Sequence, residues 1–509
     1  MDSTKIGLVI KEIRSQAGLT QSDFAKELCV TDKAVSKWEN GISIPDLQQL
    51  EAISKQFNVS YDVLLNGDLD KIKLNRKQEK AQAKAPSKYN SQEWYALDNA
   101  AKIYPSQARK GWNMVFRIAA VLKEPIDVPV LQQALSDMMD RFPTFMVTLK
   151  NGFFWNYFDR LEKSPKVIMG GNHPCIAMPL DGKKYIFRVS VENNRIACDY
   201  FHVLTDGTGG TIFLTSLLTR YYELKYGPIK DYKDALNVLD IVQPEEIEDS
   251  FARYAQKKNY ESRPIKRAYH MKGRKVKKNI VTHVVMSVDE LKKISKEKGC
   301  TITVLLLAIL TRAFLKKKAL DRDDKPFIIQ VPINLRKRFP SKTLRNFAYF
   351  TGVETSAKEL TLEEAIEVCK EELNKGTDVD HLQRVINSNM REENNIFIKA
   401  APLFAKNLVL GIVSKVIGDD AFTTTFSNVG NVNAPDELKN IVDRYEFVLK
   451  DDKNGGILMS GISFNGRCTI SFIRSVAESN VEREFVRELA SLGVNLYVES
   501  NGGEERAWV

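Results

Sequence analysis

IACDYFHVLTDGTGG, residues 196–210, decides how the larger part of this 509-residue chain is read. Its first half, rich in aromatic and β-prone residues, has the character of a buried strand. The strand delivers His202 at its end, where the chain leaves the sheet and side chains can face a cavity. Asp206 and Gly207 follow in a tight, glycine-rich bend, and TIFLTSLLTRYYELKYG (211–227) then reads as a helix. An imidazole with an unperturbed pKa of about 6.5 can serve as a general base near neutral pH. A histidine at a strand end can equally be structural, and the residues alone leave both readings open. Asp206, four positions on, is placed to hold the loop or to pair with a distant arginine. Thiol chemistry at Cys198 fits poorly, because residues four apart on a strand lie roughly 13 Å apart. The other histidines (173, 270, 283, 381) have no ligand-like spacing to His202, so no metal site is expected.

Outward from this stretch, strands and helices mix. Upstream lie WNMVFRIAAVL (112–122, strand), PVLQQALSDMMDRFP (129–143, a helix closed by Pro143), FMVTLKNGFFWNYFD (145–159) and KYIFRVSVENNRIACDYFH (184–202). Downstream come THVVMSVDELKKISKEKG (282–299, strand then helix), ITVLLLAILTRAFLKKKA (302–319, a largely buried helix) and PFIIQVPINLR (326–336, strand). AFTTTFSNVG (421–430) precedes GGILMSGISFNGRCTISFIRS (455–475), two strands joined at Asn465-Gly466, and a final helix is expected around 482–498. The pattern implies two comparable α/β (α+β) lobes with a cleft between them, at 91–262 and 280–509, joined by a basic crossover at 263–279.

The first 67 residues differ in kind. Ile6, Val9, Ile10 and Ile13 recur at helical spacing, and Gly18 closes that helix. Thr20, with Asp23 three residues on, opens TQSDFAKEL; Thr31 opens TDKAVSKWE, which ends at Asn40-Gly41. Pro45 precedes a helix lined by Leu47, Leu50, Ile53 and Phe57, and Ser60 caps YDVLL. Five short helices here can share only one small core. From Leu19 to Leu65 this stretch resembles the Cro/phage-repressor (XRE-type) helix-turn-helix family, in Leu19-Thr20-Gln21, Val30-Thr31, Ser36–Gly41, Pro45 and Ser60–Leu65. The resemblance implies double-stranded DNA as partner, with the second helix of the pair in the major groove. Lys33, Ser36 and Lys37 are then candidates for base or phosphate contacts, and Gln21 for bracing the backbone or reaching a base. The alternative is a helical interaction module without DNA binding. In its favour, residues 1–67 carry seven basic and nine acidic side chains, and Asp32 adjoins the recognition surface.

In the larger part, His202-x-x-x-Asp206-Gly207 resembles the HxxxDG signature of the chloramphenicol-acetyltransferase-like superfamily. That group includes peptide-synthetase condensation domains, wax-ester synthases and alcohol acetyltransferases. Phe201 stands where the usual tandem histidine begins; the family's catalytic histidine is the second, matched by His202. VPINLRKRFPSKTLRNFAYF (331–350) and FSNVG (426–430) resemble later landmarks of the alcohol-acetyltransferase-like branch, so the likeness covers about residues 90–500; the plant-type DFGWG element is absent. It implies a two-lobed sandwich with a central tunnel. An acyl thioester on coenzyme A or a carrier-protein phosphopantetheine would enter one side, and an alcohol or amine the other. His202 would take the acceptor's proton, and Ser427 or Asn428 would donate to the oxyanion. Asp206 would be structural with Arg336 as its partner, while Asn334, Asn346 and Gly207 would line the substrate path. Neither a resident cofactor nor a covalent enzyme intermediate is implied.

Charge and cysteine usage bound the rest. The formal charge of +10 sits mainly in KIKLNRKQEKAQAKAPSK (71–88), within an expected linker at 68–90, and in RPIKRAYHMKGRKVKK (263–278). Such runs read as solvated connectors, as phosphate contacts beside the head, or as a basic face toward an anionic ligand. Six cysteines without CxxC spacing suit a reducing compartment, and the longest uncharged apolar run, Val304–Leu310, is too short to span a membrane. A cytoplasmic, dimeric DNA-binding protein with an acyltransferase module is the expectation. Alternatives are a transcriptional regulator whose module only senses a ligand, and a scaffold that retains neither activity.

Overall fold

The computed structural model describes residues 2–16, 19–57, 59, 64, 94–109, 111–170, 173–261, 267–414, 420–451 and 456–502. They divide into two compact units, Met1–Ser91 and Gln92–Val509.

In the first unit, helices α1 (Ser3–Gln16), α2 (Gln21–Glu27), α3 (Asp32–Glu39) and α4 (Leu47–Gln56) follow the expected boundaries. Each start has a local cause. Thr20 and Thr31 hydroxyls accept from the backbone N–H of Asp23 and Ala34, and Asp46 forms a reciprocal box with Gln49. Ile6, Val9, Ile10, Ile13, Phe24, Val35, Trp38, Leu50 and Ile53 make one core, closed by Phe57 stacked on Phe24 at 4.8 Å. The expected stops and caps at Gly18 and Ser60, most of the YDVLL helix and the linker at 68–90 lie outside the described residues; Leu64 is buried in the core.

The second unit holds three sheets. β1 (Trp94–Ala96), β2 (Val115–Leu122), β3 (Val147–Asn151), β4 (Asn156–Arg160), β5 (Ile168–Met169), β6 (Phe187–Glu192) and β7 (Arg195–Phe201) come first. β8 (Lys275–Ser287), β9 (Phe327–Asn334), β10 (Ala348–Thr355), β11 (Thr424–Asn431), β12 (Val442–Val448), β13 (Ile457–Phe464), β14 (Arg467–Val476) and β15 (Leu496–Ser500) complete them. The sheet orders are β1-β4-β3, β12-β2-β7-β6-β5 and β10-β9-β11-β13-β14-β8-β15. Among the helices, α5 (Tyr104–Gln107), α6 (Val128–Asp137), α7 (Gly207–Tyr226), α8 (Ile302–Asp321) and α9 (Asn480–Ser491) matter most for the site and cores. Phe213, Leu214, Leu217 and Leu218 of α7 pack with Phe142, Phe145 and Tyr200 against the five-stranded sheet. Leu305, Leu306, Ile309 and Phe314 of α8 build the core of the seven-stranded one with Ile470, Phe472 and Phe485. The β13–β14 hairpin turns at Asn465 (φ 48°) and Gly466 (φ 78°), the left-handed pair that a tight primed turn requires.

Four expectations need correction. β12 lies within the span 280–509 but pairs with β2, so the two halves exchange a strand rather than divide cleanly. β8 begins at Lys275, inside the expected crossover, so part of that basic stretch is ordered strand. The last helix ends at Ser491, because Gly493 at φ 84° turns the chain, and residues 496–500 form β15 instead of more helix. The glycines after Asp206 are not a bend before a helix; they are its first turn. Among the described residues no single helix is long and apolar enough to cross a membrane.

Candidate functional site

β7 ends at Phe201, which is fully buried in the core, so the side chain preceding His202 points away from the site. A histidine at that position would have faced the core as well, and the departure from the tandem pattern removes no group from the site. The backbone N–H of His202 donates to the Met114 carbonyl at 2.7 Å. Its ring lies parallel to Tyr104 (centroids 4.5 Å, 18°) and edge-on to Phe116 (5.1 Å, 64°). Burial lowers its pKa below the ordinary histidine value, against smaller opposing effects from Asp206 and Asn346, so the ring is neutral at pH 7.

The tautomer follows from Asn346. Its Nδ2 donates toward the Val203 carbonyl (3.4 Å) and Asp98 Oδ2 (3.5 Å), which turns Oδ1 toward His202 Nδ1 at 3.1 Å. The amide oxygen only accepts, so Nδ1 carries the proton and Nε2 the lone pair. Asp98 is fully buried, accepts from the Ala101 N–H at 2.8 Å and faces Arg345 Nε at 3.5 Å. Burial pushes its carboxyl up, and Arg345 opposes that. Asn346, expected along the substrate path, thus sits behind the imidazole and orients it.

Asp206 is the N-cap of α7. Oδ1 accepts from the Thr208 and Gly209 N–H groups, each at 3.1 Å; Oδ2 accepts from Arg336 Nη1 (2.7 Å) and the Phe347 N–H (2.9 Å). Arg336 also donates to the carbonyls of Thr343 and Arg345, which spends its guanidinium on the 343–347 loop rather than on a ligand. Asn334 accepts from the Arg336 N–H (3.0 Å) and donates to Thr208 Oγ1 (3.0 Å). Asp206, Arg336 and Asn334 therefore staple the 334–347 segment onto the start of α7, which delivers Asn346 to His202. Gly209 has to be glycine: a Cβ there would lie 2.2 Å from the Leu344 carbonyl oxygen.

Gly207 lies beneath Val429, where a Cβ would come within 3.2 Å, so β11 reaches the start of α7 here. Asn428 of β11 donates to Thr303 Oγ1 (3.1 Å) and accepts from the Gly430 N–H (3.0 Å), which occupies its amide. Ser427, half-buried, alternates to the opposite face of the strand. Among the described residues neither hydrogen-bonds to the His202 cluster. Cys198 is buried, and burial pushes its thiol up to about 12, far from a nucleophilic thiolate. Among the described residues no group of three or more His, Cys, Asp and Glu is arranged to hold a metal. Tyr104 and Asp98 escaped the sequence reading, for they lie about a hundred positions from His202 in an unpatterned stretch.

On the head, Lys33 and Lys37 are exposed one turn apart on α3, and Ser36 is half-buried beside Asn40. Gln21 does not face outward freely: its Nε2 donates to Glu39 Oε2 at 2.7 Å, and Glu39 is also held by Arg14. Residues 10–64 match the Helix-turn-helix family. The head is a helix-turn-helix domain. It is 41% identical over 59 residues to the HTH-type transcriptional activator BcrR of Enterococcus faecalis, a match covering 12% of this chain and 29% of that protein. Over 63 residues it is 36% identical to the HTH-type transcriptional regulator ImmR of Bacillus subtilis, covering 12% of this chain and 50% of that one. The chain thus spans half or less of these curated relatives. The larger part shares its fold with polyketide synthase associated protein 5 from Mycobacterium tuberculosis, at TM-score 0.52 and 13% identity over 78% of this chain and 97% of that one. It likewise resembles TRI101 of F. sporotrichioides, whose structure was solved with coenzyme A and T-2, at TM-score 0.55 and 12% identity over 81% and 100%. A Cro-like helix-turn-helix domain is therefore fused to an acyltransferase-like fold.

Proposed function

We propose that the chain is a cytoplasmic DNA-binding protein whose large module transfers an acyl group from a coenzyme A or carrier-protein thioester to an alcohol or amine, in a tunnel between its lobes. The observation that carries this reading is the neutral His202 held by Asn346 with its lone pair on Nε2. Nε2 removes the proton of the acceptor hydroxyl or amine as the acceptor oxygen or nitrogen attacks the thioester carbonyl. The C–O π electrons become a tetrahedral oxyanion, for which Ser427 is the better donor because the Asn428 amide is already engaged. Collapse breaks the C–S bond, and the leaving thiolate takes the proton back from Nε2. Asp206, Arg336 and Asn334 act by positioning, with Gly207 at the rim. Release of free thiol from a panel of acyl-coenzyme A esters, dependent on added alcohol or amine, tests the proposal; no acceptor-dependent release across the panel would refute it.

The pH dependence has a defined sign. Because the pKa of His202 is depressed, its basic form prevails throughout the neutral range, and activity falls only on acidification below the ordinary histidine value of about 6.5. Asn346→Ala removes a bond that raises this pKa and fixes the ring. The acid limb is expected to move to lower pH and kcat to fall about 10- to 100-fold, read from a pH–rate profile. An unchanged limb with unchanged kcat would show that Asn346 does not orient the base.

For the head, we propose that α3 enters the major groove of a two-half-site operator as part of a dimer. Lys33 and Lys37 make the outer contacts, Ser36 a closer one, and Gln21 braces α3 through Glu39. Lys33→Ala and Lys37→Ala should each weaken binding evenly across sequences and reduce the slope of log affinity against log salt by about 1. Fluorescence anisotropy at several salt concentrations measures this.

A further inference from the structure

The basic stretch before the second half of the large module plays no part in the chemistry at His202, and from Arg267 on it forms a surface of its own. β8 is 13 residues long, yet β15 covers only Thr282–Met286 of it. Toward its start the pairing with β14 slips. Ile280 faces Arg474 and Lys275 faces Val476, so four residues, Val276–Asn279, stand against the single residue Ser475. Extra residues on one strand bend it out of its ladder. Lys275, Lys277 and Lys278 are exposed on this bulged start, and Arg267, Lys272 and Arg274 are exposed on the approach to it.

Most of this charge is uncompensated. Residues 263–278 hold eight basic side chains and no acidic one. The bordering carboxylates are already engaged: Glu478 with Arg274, and Asp321 with Lys317, the Tyr269 hydroxyl and the Lys272 N–H. Among the described residues, Arg267, Lys275, Lys277 and Lys278 have no carboxylate within ion-pair distance. Nor is any large apolar side chain from 267 to 281 exposed. A protein partner or a bilayer would lack the apolar anchors that such contacts need, whereas a phosphate backbone is held by positive charge alone. The helix-turn-helix head supplies that partner, because DNA held by one part of a chain meets the rest of it as an intramolecular ligand. We infer that the start of β8 is a second, sequence-independent DNA contact, by which the large module adds phosphate contacts to those of the head. The inference rests on the reading of the head as DNA-binding.

The test is binding of the full chain to a fluorescein-labelled duplex of mixed sequence, about 40 base pairs long, over a range of salt concentrations. Lys275→Gln/Lys277→Gln/Lys278→Gln is compared with Lys292→Gln/Lys293→Gln/Lys296→Gln, which removes the same charge from exposed lysines of the helix Val288–Glu297. The first variant is expected to reduce the slope of log affinity against log salt by about 2 to 3 and to weaken binding about 10-fold or more near 0.1 M salt. The second should change either by far less, and both should keep the wild-type circular dichroism and melting. Equal effects of the two variants would mean that only net charge matters, and they overturn the inference, as does a wild type that leaves the duplex unbound. An unchanged slope with self-association of the first variant in sedimentation velocity also overturns it, making the lysines guards of a free strand edge. Lys33→Ala/Lys37→Ala separates the two surfaces. Weakening by this pair but not by the β8 variant refutes the inference and keeps the head; the reverse keeps the β8 contact and refutes the reading of the head.

Discussion

Replacing His202 by alanine is expected to lower kcat/KM for thioester-dependent acyl transfer by about 100- to 10,000-fold, the contribution of a positioned general base. Little else in the site can move the proton. Cys198 is buried with a raised pKa, and Asn428 is spent on Thr303 and Gly430. Tyr104 stacks on the imidazole, and burial raises its phenol well above the ordinary tyrosine value, so it shapes the pocket rather than serving as a base at neutral pH. Alanine leaves a gap between Tyr104 and Phe116, so His202→Gln, which refills part of that space without a basic nitrogen, is the companion variant. Both should retain the wild-type circular dichroism spectrum and operator binding. Equal rates for wild type and variants over a broad thioester panel would exclude general-base catalysis here. If operator affinity instead responded to an acyl thioester in wild type and in His202→Ala alike, the module would be a ligand sensor for the DNA-binding head.

What could be read from the sequence, and what could not, follows the range of the interactions. Thr20, Thr31 and the Asn465-Gly466 turn act on groups two or three residues away, so their roles were visible in the string. His202, Asp206 and Arg336 stand out through spacing and resemblance, and the structure joins the last two at 2.7 Å. Asn346 sits beside His202 Nδ1, a placement that residue type alone cannot give, because which side of a histidine an amide occupies depends on the 334–347 segment being stapled to α7. Asp98 and Tyr104 were missed because nothing in their own neighbourhood marks them. The strand exchange by β12 was also hidden. Its sequence, VDRYEFV, is equally fit for either sheet, and only pairing with β2 decides between them.

The second large effect concerns stability. Asp206→Ala should destabilise the large module by about 3–5 kcal/mol, which is the cost of removing one partner from a buried ion pair. The side chains of Asp206 and Arg336 are only 5% and 9% exposed, so water cannot replace the lost carboxylate. The loss is larger than that of an ordinary cap, because the same carboxylate also holds two N–H groups of α7 and the Phe347 N–H. Arg336→Leu should cost a similar amount for the reciprocal reason, as it leaves the carboxylate buried beside carbonyls. The double variant Asp206→Asn/Arg336→Leu, measured against the single substitutions Asp206→Asn and Arg336→Leu, is the informative one. It removes both charges while keeping an acceptor for the α7 N-terminus, so its cost should be well below the sum of the single substitutions. Chemical denaturation followed by the tryptophans, four of five of which lie in this unit or at its edge, reads the transition. Strict additivity would mean that the two groups do not depend on each other, and the staple that carries Asn346 to His202 would have to be sought elsewhere.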